Sequence, residues 1–304
     1  MSKTFKAVRF HAYGGSDVLK VETLPRPVPG DGEVVIKVHY AGVNPIDWKL
    51  RSGAYQAFMP VTFPGKPGID VSGVVEEVGP GVTGFVKGDA VLGAAAGSYA
   101  EFALAKAVDL VVKPEALSFE DAASLPVAAL TAWQLVEEAG VKAGDRVLVQ
   151  GAAGGVGLFA VQFAKLKGAL VAGTSSTANL AFVKGLGANE ALDYTKGPLT
   201  ANGFDVVIDT VGGVVLESSY TVVKRGGTVV TPVGQPSQEK AAALGVKAKN
   251  VGRGPISLLP TIADLVAQKR VVSEIQKVFT LDQAAQAQDL SQKGHGKGKI
   301  LIKV

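Results

Sequence analysis

The feature that most constrains this chain is a short apolar run that enters a glycine-rich turn and leaves it as a helix. Val147, Leu148 and Val149 follow one another without polar alternation, as in a parallel strand covered on both faces. Gly151, Gly154 and Gly157 come next. Leu158, Val161, Phe163, Ala164 and Leu166 then recur at roughly helical spacing until Gly168. A strand that turns through glycines into a helix aims free N–H groups and a positive helix end at one point, which suits a pyrophosphate. The first glycine permits the tight turn, the second lets a phosphate approach the backbone, and the third lets the helix pack on the strand. Gly155 and Val156 complete the loop. A dinucleotide site follows from this context. The plain alternative is a glycine-rich turn in some other α/β protein.

At 304 residues the chain has room for two domains. It is 47% hydrophobic and 19% charged, so a packed core is expected rather than disorder. The 38 glycines point to many tight turns. A net charge of +4 without a long block of like charges gives no case for nucleic acid. The densest basic stretch, Lys293, His295, Lys297 and Lys299, reads as a solvated turn before a last strand. Cysteine is absent, which excludes disulfides and thiolate metal sites. His11, His39 and His295 are far apart and form no ligand pair, so no metal site is expected. Met1 leads directly into strand-like sequence at Ala7, Val8, Arg9 and Phe10. No apolar run approaches the length of about 18 residues that spans a bilayer. A cytoplasmic protein with no membrane partner is the simplest expectation.

Along the chain, residues 1–123 read as β-rich, with strands at 34–38, 71–78, 89–92, 99–104 and 110–112 between Gly, Pro and Asp turns. This pattern suggests a small barrel or sandwich. Helices are predicted at 119–125 and 128–138, with Pro126 breaking them. Strands at 146–150, 169–173, 191–194, 204–209 and 227–233 alternate with helices at 178–185 and 216–224. The fold class is therefore α/β with a doubly wound parallel sheet. A helix at 256–269 follows. The tail, with strand-like pieces at 271–272, 279–280 and 300–302 and a helix at 282–291, is predicted to return to the first domain.

Several segments together resemble a known family. They are Ala41-Gly-Val-Asn-Pro-Ile-Asp47, residues 67–79, Leu125-Pro-Val-Ala-Ala-Leu-Thr-Ala-Trp133, the glycine loop, Leu186-Gly-Ala188 with Asp193-Tyr194, and Gly296-Lys-Gly-Lys-Ile300. Over nearly its whole length the chain resembles the zinc-independent quinone oxidoreductase and enone reductase branch of the medium-chain dehydrogenase/reductase superfamily. The resemblance implies a GroES-like β-barrel catalytic domain over 1–123, completed by 268–304, and a Rossmann domain over 124–267. It also implies a cleft between them, NAD(P)H-dependent reduction, and a homodimer through the Rossmann edge. Zinc-dependent members carry a catalytic Cys where this chain has Asn44, and a His-Glu pair where it has Ile69-Asp70. Without a metal no Lewis acid lowers the pKa of an alcohol, so a C=C bond conjugated to a carbonyl, or a quinone, is the expected hydride acceptor.

For the coenzyme, an acid about 20 residues beyond the glycines would favour NAD by bonding a ribose 2′-hydroxyl. Residues 173–179 hold none. Ser175, Ser176 and Asn179 offer donors to a 2′-phosphate instead, and NADPH is the expected coenzyme. The same Thr-Ser-Ser-Thr run also serves as a helix N-cap. By resemblance Tyr194 lies near that phosphate, or else packs in the core. Lys184 stands far along the helix.

By resemblance, Asn44 contacts the nicotinamide ribose or the substrate carbonyl, and Thr131 lies beside the nicotinamide. Lys49 is placed to reach a phosphate or an oxyanion, or stands as a solvated lysine. Asp47 orders the loop. Tyr55 aligns with a tyrosine that donates a proton or hydrogen bond to the substrate carbonyl in related enoyl reductases, a role that water fills in other relatives. Phe58, Met59 and Phe63 line the substrate pocket or pack the loop. Val211 and Gly212 follow the fourth strand and Val233 and Gly234 the fifth, at the sheet edge where ligands bind; Asn250 is a further candidate. The alternatives to quinone or enone reduction are an enoyl-thioester reductase and a non-catalytic NADPH-binding protein.

Overall fold

The structure, a computed structural model, describes residues 3–294 and 296–304. Its first part contains β1 (Thr4–Arg9), β2 (Lys20–Pro25), β3 (Glu33–Val43), α1 (Pro45–Arg51), β4 (Asp70–Val78), β5 (Ala90–Ala94), β6 (Phe102–Lys106) and β7 (Leu110–Val112). β3 pairs antiparallel with β4 and β6, and β4 with β5. Val34, Ile36 and Val38 of β3 meet Val71 and Val75 of β4, Val91 of β5 and Ala103 and Ala105 of β6 in one buried cluster. Those alternate positions share a face of each strand, which fixes the register.

α2 (Phe119–Ala123) and α3 (Ala128–Glu138) follow, with Pro126 between them. Strands and helices then alternate through β8 (Arg146–Gln150), α4 (Gly157–Leu166), β9 (Leu170–Ser175), α5 (Leu180–Gly185), β10 (Glu190–Asp193), β11 (Phe204–Asp209), α6 (Val214–Val222), β12 (Val223–Thr231), α7 (Gln238–Leu244) and β13 (Lys247–Asn250). The six strands pair in parallel in the order β10-β9-β8-β11-β12-β13. Val147, Leu148 and Val149 are fully buried at its centre, which explains their unbroken apolar run. The strand order reverses between β8 and β11, so a crevice opens at the carboxyl ends of these strands, where open α/β sheets bind ligands.

α8 (Leu259–Ala267) covers this sheet with α3 and α4 in one apolar cluster. β14 (Ile275–Thr280), α9 (Ala284–Lys293) and β15 (Lys299–Lys303) return to the first sheet, β15 pairing antiparallel with β3. The result is a GroES-like barrel joined to a Rossmann sheet, as the resemblance implies. Among the described residues no helix is long and apolar enough to cross a membrane.

The sequence reading offers no β2, α1 or α7, and four further details differ from it. The parallel sheet has a sixth strand, β13, whose Lys-Ala-Lys-Asn sequence carries no apolar run because it lies at the edge. β12 begins at Val223, since α6 runs into it without a loop. Val271 and Val272 form no strand; the Gln162 side chain instead holds both backbone groups of Val272, at 2.8 and 2.9 Å. The basic stretch near the C-terminus is not uniformly solvated, because Lys299 is buried; His295 lies outside the described residues.

Candidate active site

The glycine loop joins β8 to α4. Gly151 has φ +71, and a Cβ there would lie 2.7 Å from Thr210 Oγ1. A Cβ on Gly157 would lie 2.1 Å from the Gly151 carbonyl oxygen, so helix and turn touch through bare backbone. Gly154 has no such pressure: a Cβ would meet only Gly151 O, at 3.3 Å. The space in that one direction is open. Val156 is the N-cap of α4 and no side chain caps this helix. The N–H groups of Gly155, Val156 and Gly157 have no acceptor among the described residues. Uncapped N–H groups at the positive end of a helix form an anion site.

The loops after β11 and β12 flank this point. Val211 approaches Gly151, and a Cβ on Gly212 would lie 2.7 Å from Val233 Cγ1. Asp209, fully buried, accepts from the N–H groups of Val211 and Gly212 at 3.0 Å each, which shapes the turn. Burial raises the Asp209 pKa. Gly234 has φ +77, and its carbonyl accepts from Asn250 Nδ2 at 2.5 Å.

At the end of β9, Gly151 N–H donates to Thr174 Oγ1 at 3.0 Å, which ties this strand end to the loop. Ser175 is buried and its hydroxyl donates to the Ser176 carbonyl at 3.2 Å. Asn179 Nδ2 donates to Ser176 Oγ at 3.4 Å. Tyr194 is half exposed. Lys184 is directed away, donating to the Asn189 carbonyl.

The barrel side of the crevice holds a buried polar network. Asn44 precedes α1, and its N–H donates to Asp47 Oδ2 at 2.8 Å. The Tyr99 hydroxyl donates to the same oxygen at 2.8 Å. Burial pushes the Asp47 carboxyl up to about 7, against the pull of these two donors. Asn44 Nδ2 donates to Asp70 Oδ2 at 2.9 Å, while Asn44 Oδ1 accepts from Lys299 Nζ at 2.5 Å. Lys299 Nζ also stands 3.4 Å from Asp70 Oδ2, with the two side chains 3% and 0% exposed. Burial raises the Asp70 pKa and the Lys299 charge opposes that rise.

Lys299 also reaches the glycine loop. A Cβ on Gly155 would lie 3.0 Å from its Cδ. Gly298 N–H donates to the Ala153 carbonyl at 2.8 Å, beside a bridge between Gly154 and Gly298. Lys299 and Asp70 were not singled out as site residues in the sequence. The available signal was the motif at 296–300.

Lys49, on α1, donates to the Tyr55 hydroxyl at 3.3 Å. The two candidates are therefore neighbours, and Lys49 is not a free solvated cation. Thr131 is buried on α3. Phe58, Met59 and Phe63 are all exposed, and Phe63 also packs edge-on to Phe10 and Tyr13.

Comparison with known proteins agrees with this architecture. Residues 30–115 match the alcohol dehydrogenase GroES-like domain and residues 186–302 the zinc-binding dehydrogenase family. The chain is similar to a chloroplastic quinone-oxidoreductase homolog of Spinacia oleracea, with 35% identity over 99% of each chain. It is 41% identical to 2-methylene-furan-3-one reductase of Solanum lycopersicum over 75% of this chain and 62% of that one. The solved quinone oxidoreductase from Coxiella burnetii superposes with a TM-score of 0.92 at 36% identity, covering 99% of this chain and 100% of that one. With the spinach and Coxiella likenesses running over 99% of its length, the chain belongs to the quinone oxidoreductase and enone reductase branch of the medium-chain dehydrogenase/reductase superfamily.

Proposed function

We propose that the protein transfers hydride from NADPH to a quinone or to the C=C bond of an α,β-unsaturated carbonyl compound. The observation that carries this reading is the uncapped start of α4, whose unpaired N–H groups adjoin Lys299 and, through it, Asn44. Gly151, Gly154, Gly155, Val156 and Gly157 bind the pyrophosphate. Ser175, Ser176, Asn179 and Tyr194 take the adenosine end, where β9 ends without an acid. Ser176 and Asn179, only partly buried, are the better-placed donors. Thr131, Val211, Gly212, Val233 and Gly234 border the nicotinamide end, and Lys299 joins them.

When bound, the nicotinamide supplies hydride to an electron-poor carbon. The chain's own residues position the acceptor and meet the negative charge that develops on its oxygen. Tyr55 accepts from Lys49, so its own O–H proton is available to that oxygen. The Lys49 charge favours the same oxyanion. Asn44, held from two sides, keeps one amide N–H for the ribose or the carbonyl. The Lys299 ammonium between Asn44 and Asp70 opposes a second cation there, which supports a metal-free reaction. The open edge of β13 supports a homodimer.

The test is optical: NADPH oxidation with alkenals, cyclic enones, quinones and crotonyl thioester. Oxidation by a quinone or an enone is expected. Oxidation by the thioester alone makes the protein an enoyl-thioester reductase. Coenzyme binding without oxidation makes it a non-catalytic binding protein.

A further inference from the structure

Ser175, Ser176 and Asn179 come from one segment, and the sheet brings a carboxylate to the same place from the next strand, just before Tyr194. β10 lies beside β9, with Asp193 in register with Ser175. Asp193 Oδ2 accepts from the Thr177 hydroxyl at 2.5 Å. Its Oδ1 accepts from Thr195 N–H at 2.9 Å and from the Thr195 hydroxyl at 2.6 Å. These bonds, that of Thr177 foremost, hold the carboxyl below its usual range. Lys196 Nζ stands 4.0 Å away on a side chain that is 73% exposed.

Thr177 falls about 20 residues past the glycines, the distance at which a doubly wound fold recognises the ribose 2′ position. An acid in that segment would mark an NAD site. Here the acid arrives one strand later and reaches the same turn through space.

We propose, resting on the coenzyme role given above, that Asp193 determines coenzyme specificity: its carboxylate, bonded to Thr177, opposes a 2′-phosphate at the Ser176–Thr177 turn and keeps NADH usable beside NADPH. The exposed Lys196 offsets this charge only in part. The role is separable from a structural one. Asp193 also caps the turn at 194–196 by accepting from Thr195 N–H, and Asn or Ser serves as well in a cap. Neither carries the charge.

The experiment compares wild type with Asp193→Asn, and with Asp193→Ser as a second neutral cap. Calorimetry with 2′,5′-ADP and 5′-AMP reads the phosphate alone and needs no turnover. Both variants are expected to raise the ratio of 2′,5′-ADP to 5′-AMP affinity about tenfold, equal to about 1.4 kcal/mol, and to raise the NADPH to NADH ratio of kcat/KM alike. High salt should shrink the difference. An unchanged ratio, equal losses for both ligands, or no binding of either fragment to any of the three proteins overturns the proposal. Binding without oxidation of any acceptor overturns the hydride-transfer reading instead, and the fragment ratio still decides the role of Asp193.

Discussion

Lys299 and Asn44 lie 255 positions apart in the chain, and the ammonium of one meets Oδ1 of the other at 2.5 Å in a buried setting. The contact closes the crevice from the barrel side while the lysine stem lies along Gly155. One cation thus orients the Asn44 amide, partners Asp70 and borders the glycine loop.

Removing that cation should be costly. Lys299→Met leaves Asp70 buried without its partner, and one-sided loss of a buried pair costs about 3–5 kcal/mol. Denaturant unfolding would measure it. The double variant Lys299→Met, Asp70→Asn should recover part of the loss, because the uncompensated acid is gone. A double variant no more stable than Lys299→Met alone would show that the pair carries no coupling.

The glycines should separate binding from folding. Gly154→Ala meets only one carbonyl oxygen at 3.3 Å. It should change unfolding free energy by less than about 1 kcal/mol while weakening NADPH binding at least about tenfold, since the methyl group stands where the phosphate approaches. Gly157→Ala drives a Cβ to 2.1 Å from Gly151 O and should destabilise the fold by about 1–3 kcal/mol. Unfolding curves and coenzyme titrations on both variants check this.

Tyr55→Phe keeps the ring and removes the O–H that Lys49 faces. Turnover should fall at least about tenfold with little change in coenzyme affinity, the range of a lost general acid. Wild-type turnover would remove Tyr55 from the chemistry and leave proton delivery to water.

Asp47 should leave a mark on the pH dependence of stability. Its folded pKa is raised to about 7 by burial, against about 4 in an unfolded chain. Between those values the folded protein keeps a proton that the unfolded chain has lost. Stability from this group is full below about pH 4, falls as pH rises, and levels off above about 7, with a slope of at most about 1.4 kcal/mol per pH unit. Asp47→Asn should lack that fall, so the stability of wild type relative to the variant should decline across the window. A constant difference would refute the assignment.

How much of this was legible in the sequence follows from how local each feature is. The strand–turn–helix at 146–157 could be read directly, because burial on both faces forces three consecutive apolar residues and close packing forces the glycines. Pro126 marked its helix break for an equally local reason. The edge strand β13 could not be read, since an edge needs no apolar run. Lys299 looked like its solvated neighbour Lys297, and only the return of β15 beside β3 buries it. The nearness of Asp193 to Thr177 could not be read, because only the pairing of β10 with β9 brings them together. Ser175 looked like an available donor, but its hydroxyl is spent on the Ser176 carbonyl.

The bridge between Gly154 and Gly298 has a consequence for biosynthesis. The residues that clasp the glycine loop are synthesised after it, some 140 positions further along the chain. A nascent chain can therefore assemble its parallel sheet well before it acquires the clasp. The crevice is closed on that side only when Gly298 docks against Ala153 and Gly154 and brings Lys299 to Asn44.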